Sequence, residues 1–241
     1  MVVEFVSPGH GYVLDTWISY GISYLLRGGA ELIPLDTAYL FKVEKAPNWN
    51  ALKQDLIAEI ERIVQEYDDV ALKLEGLRGA EHEEREAILD SLRELRKLPG
   101  GRLFLALRTQ GTVNAQKAIE NIKKAVENLK ELSFDLSSVY DPAHAIRYRE
   151  GRGGLAKSLK RSVKIKSERI SLFNAPLPIV ATTGKYATSL YSYKAAQEKV
   201  CPYDLLLAYL GLSHFGIVIS ERDQATSIVL LRPAVNMNLD D

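Results

Sequence analysis

A histidine flanked by two glycines, in "SPGHGYVLD", is the first group of this chain whose setting suits chemistry. His10 on such a turn, followed by Asp15, fits a loop-borne general base acting on a nucleic acid or a phosphorylated substrate. The same residues fit a tight turn after a strand, with Asp15 as a helix N-cap. The other histidines, His82, His144 and His214, are far apart in the chain. His82 lies inside "AEHEERE", whose carboxylates read as the wet face of a helix rather than metal ligands. Gly184-Lys185 lacks the phosphate-loop spacing, because Ile179 stands where a glycine is needed and Tyr186 follows the lysine. Neither G-x-S-x-G nor G-x-G-x-x-G occurs. Cys201 precedes a proline and an apolar helix, the setting of a structural cysteine. The expectation is a chain that is not an enzyme and takes no cofactor or metal.

Charge is the stronger signal. "RYREGRGGLAKSLKRSVKIKSER", Arg147 to Arg169, holds nine Lys/Arg against two Glu, a net of +7. From Asp55 to Glu94 there are 13 Asp/Glu against 5 Lys/Arg, a net of −8. A net charge of zero for the whole chain therefore hides two opposed fields, and local fields decide which ligands approach. The run divides into three parts. Arg147, Arg149 and Arg152 lie among glycines, as in a loop that orders on a ligand. "LAKSLKR" suits a helix, and Lys157, Lys160, Arg161 and Lys164 are spaced along one helical face. "SVKIKSERI" alternates instead, with Val163 and Ile165 inward and Lys164 and Lys166 outward, as in a half-buried strand. Such a density of like charge is self-repelling, and a phosphate backbone would offset the repulsion. Lys185 and the tyrosines Tyr148, Tyr186, Tyr191 and Tyr193 lie near the run in sequence, and the rings can stack on bases. Two other readings stay open: the run pairs with the protein's own acidic helices, or those helices bind a basic protein partner.

The elements that must hold these groups read as α+β: a mixed or antiparallel sheet, several amphipathic helices and a C-terminal β-hairpin. Strands fall at "VVEFVS" and "TAYLFKVEK", with a helix between them that Asp15 caps. Asn48 or Asn50 starts a long helix with Leu52, Leu56, Ile60, Ile63 and Val64 as its apolar stripe. A second acidic helix covers about 80–97, with Ile88, Leu89, Leu92 and Leu95 inward, and Pro99-Gly100-Gly101 stops it. "RLFLALR" reads as a strand with Leu103, Leu105 and Leu107 on one face, and a helix with Ile119, Ile122, Val126 and Leu129 inward runs to about Leu132. Pro202 opens an apolar helix, and "FGIVIS" and "TSIVLLRP" form the closing hairpin. No internal repeat is visible. The chain reads as one α+β domain over 1–241, with a helical insertion at about 48–132 as an added feature. No apolar run approaches the roughly 20 residues of a membrane span, and the N-terminus lacks a signal-peptide pattern. A single cysteine suits a reducing cytoplasm, and abundant Lys, Glu and Arg suit a thermophile.

Two stretches carry a resemblance. "VEFVSPGHGYVLDTWISYGISYLLRGG" joins a strand, a glycine-rich turn and a helix begun by Asp15. "CPYDLLLAYLGLSHFGIV" places an apolar helix before a late strand. Together they resemble the large subunit of archaeal type I-A CRISPR interference (Cascade) complexes. The resemblance implies a non-catalytic subunit of an RNA-guided surveillance complex in antiviral defence. Its partners would be CRISPR RNA or target DNA, other Cascade subunits and a helicase-nuclease.

Overall fold

The computed structural model describes residues 2–10, 12–27, 29–35, 38–77, 79–108, 112–133, 135–139, 162–165, 168–174, 199–221, 224–229 and 237–238. Within them the fold is α+β. Strand β1 (Val3–Val6) leads into helix α1 (Tyr12–Leu26), followed by β2 (Ala30–Pro34) and β3 (Tyr39–Val43). Four helices come next: α2 (Trp49–Gly76), α3 (His82–Leu95), α4 (Pro99–Arg108) and α5 (Thr112–Glu131). Short strands β4 (Ser162–Ile165), β5 (Glu168–Ser171), β6 (Phe173–Asn174) and β7 (Lys199–Val200) precede α6 (Pro202–Phe215). The chain then runs through β8 (Ile217–Glu221), β9 (Gln224–Val229) and β10 (Met237–Asn238).

The main sheet has the order β1-β3-β2-β10, antiparallel throughout. β3 shows why it forms: Tyr39, Phe41 and Val43 are buried and alternate with half-buried Leu40 and Lys42, the period of a strand with one covered face. Phe5 of β1 stacks on Phe41 across the ladder, with centroids 4.9 Å apart, and Trp49 meets Phe5 edge-on. α1 lies against this sheet, where the Thr16 and Tyr39 hydroxyls share a 2.7 Å hydrogen bond.

α6 is the centre of the molecule. Every residue from Pro202 to Ser213 is buried, so the helix has no polar face. It runs parallel to α1: His10, just ahead of α1, reaches Asp204 in the first turn of α6, while Tyr24 and His214 stack at the far ends. The two helices cross at glycines. A Cβ on Gly21 would lie 2.2 Å from the Leu207 carbonyl oxygen, and one on Gly211 would lie 2.0 Å from that of Trp17. The crossing point is thus built by Gly21 of α1 and Gly211 of α6, where only a residue without a Cβ fits.

α2 begins where expected, with the Asn48 side chain accepting from the Ala51 amide at 3.2 Å. Its expected stripe is buried, and so are Ile119, Ile122, Val126 and Leu129 of α5. Three expectations need correction. "RLFLALR" is helix α4, not a strand: Leu103, Phe104, Leu105, Ala106 and Leu107 are all buried, and α4 packs on α2, α5 and α6. A short run buried all round carries no period that separates strand from helix. Pro99-Gly100-Gly101 opens α4 rather than only closing α3. Pro99 occupies a first-turn position that needs no amide, and a Cβ on Gly100 would lie 2.4 Å from the Ile63 carbonyl of α2. Leu89 of α3 is 39% exposed, since α3 touches the core through Leu92 and through half-buried Ile88 and Leu95. Strands β2 and β10 were not anticipated; the late hairpin β8–β9 was.

Candidate functional site

The basic run enters the described fold at its C-terminal end. "SVKIKSERI" is two antiparallel strands, not one: β4 and β5 pair with Ile165 opposite Glu168, leaving two residues between them, the shortest common hairpin connection. The register sets Lys164 opposite Arg169, two cations at one position of the ladder. Like charges directly opposite one another destabilise a strand pair. Arg169 is exposed, and its Nε donates to the Ser162 hydroxyl at 2.8 Å. Arg147, Arg149, Arg152, Lys157, Lys160, Arg161, Lys166 and Lys185 lie outside the described residues, as do Tyr148, Tyr186, Tyr191 and Tyr193.

The hairpin is moored to the helices. Glu168 accepts the Ser133 amide at 3.2 Å and also the Ser133 hydroxyl, just past the end of α5. Ile170 and Leu172 are buried beside it. Beneath this contact Lys53 of α2, 6% exposed, donates to the Leu132 carbonyl. Burial pushes the Lys53 pKa down, against the pull of Glu168 and Asp135. A single acidic residue at the end of the basic run thus ties that run to α5 and faces a buried cation.

Among the described residues, several carboxylates of the acidic helices pair with cations outside the basic run. Asp68 and Glu61 of α2 pair with Lys123 and Lys130 of α5 at 2.9 and 2.8 Å. Glu59 and Glu66 share Arg62 on their own helix. Asp90 and Glu94 of α3 pair with Arg93 and Lys97 three residues on. Six of the 13 carboxylates of the acidic region are thus paired with residues outside the basic run, three of them with lysines from beyond that region. The exposed pairs among them add little stability.

Two further clusters mark the ends of the α1–α6 pair. At the leading end, His10 Nε2 lies 2.7 Å from Asp204 Oδ2, with both side chains almost fully buried. Asp15 is inside α1 rather than at its N-cap, and its carboxylate accepts the Gly9 and His10 amides at 3.1 and 3.2 Å. Both aspartates stand in first turns, where the helix dipole favours negative charge. The imidazole faces into the protein, so this geometry clamps the two helix starts together. Cys201 caps α6, its Sγ 3.5 Å from the Asp204 amide and fully buried. At the trailing end, Glu59 accepts from Tyr24 at 3.0 Å and lies 2.9 Å from His214 Nε2. Burial alone would raise the Glu59 carboxyl, but Arg62, Tyr24 and His214 together hold it at about 2. Burial pushes His214 below the ordinary imidazole range, against the pull of Glu59. His82 is exposed on α3, as expected.

Among the described residues no set of three His, Cys, Asp or Glu is placed to hold a metal ion. None of their helices is long and apolar enough to cross a membrane. The Glu168 mooring was missed because a lone Glu in a basic run carries no signal at the level of sequence. The His10–Asp204 contact was missed because its partners are 194 residues apart.

What fold and site define is an α+β protein with segregated charge, built on a glycine-crossed helix pair. Comparison with protein families then places it: the family model described as CRISPR-associated protein (Cas_Csa4) matches residues 3–241, and the chain belongs to that family. The resemblance to a CRISPR interference subunit is borne out at this level. Searches of curated proteins and of solved structures gave no match.

Proposed function

We propose that this CRISPR-associated chain is a non-catalytic nucleic-acid-binding subunit of an RNA-guided surveillance complex. In this reading the basic run grips the phosphates of CRISPR RNA or target DNA, and other Cascade subunits and a helicase-nuclease are its partners. The observation that carries the reading is the charge balance. Six acidic residues of α2 and α3 have partners on α5 or a turn away in the chain, while the hairpin register sets Lys164 opposite Arg169. An internal acidic partner for the run is less favoured on that ground, and a polyanion suits it. Family membership supports the CRISPR setting.

The test replaces Lys160, Arg161, Lys164 and Lys166 with Glu and follows binding to DNA and RNA by fluorescence anisotropy across a salt series. Loss of several phosphate contacts weakens binding about equally for all sequences and reduces the slope of log affinity against log salt by about one per contact. Unchanged affinity at moderate salt overturns the reading.

A further inference from the structure

α1 and α6 end side by side, and their last turns bring aromatic rings to the surface. Tyr20 and Phe215 stack with centroids 5.0 Å apart and planes 19° apart. Beside them Tyr24 and His214 stack at 3.9 Å and 25°. Phe215 remains 43% exposed with one face on Tyr20, and Ile217, two residues on, is 48% exposed. Phe215 thus keeps part of its ring open at the end of an otherwise buried helix.

Two arginines stand near this ledge, together with the Glu59 carboxylate that bonds Tyr24 and His214. Arg102 of α4 donates to the His214 carbonyl at 2.7 Å, one residue from Phe215. Arg27 follows Tyr24 at the end of α1 and is exposed. Among the described residues neither arginine has a carboxylate partner, whereas Arg62 is taken up by Glu59 and Glu66. Depressed in its basicity by burial, His214 adds no charge at neutral pH. Among the described residues the large apolar side chains exposed here are Phe215 and Ile217, few beside the 20–30 residues a protein interface commonly engages on each side. It is the size of one or two bases. Rings with free area between arginines are the usual means of holding single strands, which offer stackable bases and nearby phosphates.

We propose that Phe215 on Tyr20, flanked by Arg27 and Arg102, is a second nucleic-acid contact, which stacks unpaired bases. It rests on the nucleic-acid reading above and adds to it a preference for single strands. The probes are an oligothymidylate of about 12 nucleotides, within the span such surfaces cover, and a duplex of the same length, each titrated into the full chain. Phe215→Leu keeps apolar bulk and removes the ring; Phe215→Trp keeps stacking and adds a fluorophore. Expected are a loss of about tenfold in single-strand affinity for Phe215→Leu, in line with one lost stack, with duplex affinity unchanged. Phe215→Trp retains affinity, and its emission is quenched on binding. Equal single-strand affinity for the native chain and Phe215→Leu overturns the ledge, and leaves the basic-run reading intact if the charge-reversed variant still fails to bind. Absence of binding by the native chain to either probe overturns both. Loss of a co-purifying protein subunit from Phe215→Leu, with nucleic-acid affinity unchanged, makes the ledge a protein interface and overturns the inference.

Discussion

Substituting Gly211 with Ala tests the helix crossing at the centre of the fold. In an open helix this change stabilises by about 1 kcal/mol, since glycine is the poorer helix former. Here the new Cβ would sit 2.0 Å from the Trp17 carbonyl oxygen, and the atom it meets is backbone. Reaching ordinary contact at about 3.5 Å would move the helices apart by about 1.5 Å at that point. α6 is buried on all sides, so the displacement spreads into the packing of α2, α4 and α5. Overpacking of this kind typically costs 1–3 kcal/mol and sometimes more, which outweighs the propensity gain. With the cost at the upper end, the net loss is about 2 kcal/mol, which for a chain of this size lowers the thermal midpoint by about 4–8 °C. Gly76→Ala is the control: it too is helical, but its Cβ would meet only the end of Ile88, at 4.0 Å. Differential scanning calorimetry of both variants decides the matter. A Gly211→Ala midpoint equal to or above that of the native chain refutes the close crossing.

Other outcomes follow from the same geometry. Glu59 titrates lower when folded than unfolded, so its support is full above the ordinary carboxylate range and is lost as pH falls toward about 2. His214 is also depressed, so its contribution is present above about 6.5, the ordinary imidazole value, and fades below it. The His214 term makes the thermal midpoint fall as pH drops below about 6.5 and the Glu59 term as it drops from about 4.5 toward 2, and Glu59→Gln flattens the fall below pH 5; an unchanged profile in the variant counts against the network. Glu168→Ala releases the hairpin from Ser133, an exposed contact worth about 1 kcal/mol. It should speed protease cleavage near residues 162–171 while barely moving the midpoint, and equal cleavage rates refute the mooring. Cys201, fully buried, should resist a thiol reagent in the native protein and react once it unfolds. Immediate labelling of the native protein contradicts its placement.

Legibility followed periodicity. α2 and α5 each bury one stripe against a wet face, so their spacing of apolar residues was enough to find them, and Asn48 and Pro202 marked starts as their chemistry requires. α4 failed because Leu103, Leu105 and Leu107 alternate while Phe104 and Ala106 are apolar too, so strand and helix patterns both fit. β2 was hidden by Glu31 and Pro34 in a five-residue strand. Charge segregation was visible in composition, but the pairing of Asp68 with Lys123 depends on how α2 and α5 pack, which composition does not carry. The trailing cluster joins Tyr24, Glu59 and His214, from three distant segments. Only the long-range fold brings them within 3.0 Å.

The parallel pairing of α1 with α6 also sets the order of events during synthesis. α1 is complete at Leu26, yet the helix that covers it ends at Phe215. At about 5–20 residues per second, roughly 10–40 s separate the two. Through that interval Trp17, Ile18 and Ile22, all buried in the finished molecule, have the sheet and α2 nearby but lack the cover of α6. Contacts between such remote segments slow folding and prolong exposure of apolar surface. A chain built this way depends on its last quarter to protect its first, so ribosomal stalling before α6 is the step at which it is most open to aggregation and to chaperone capture.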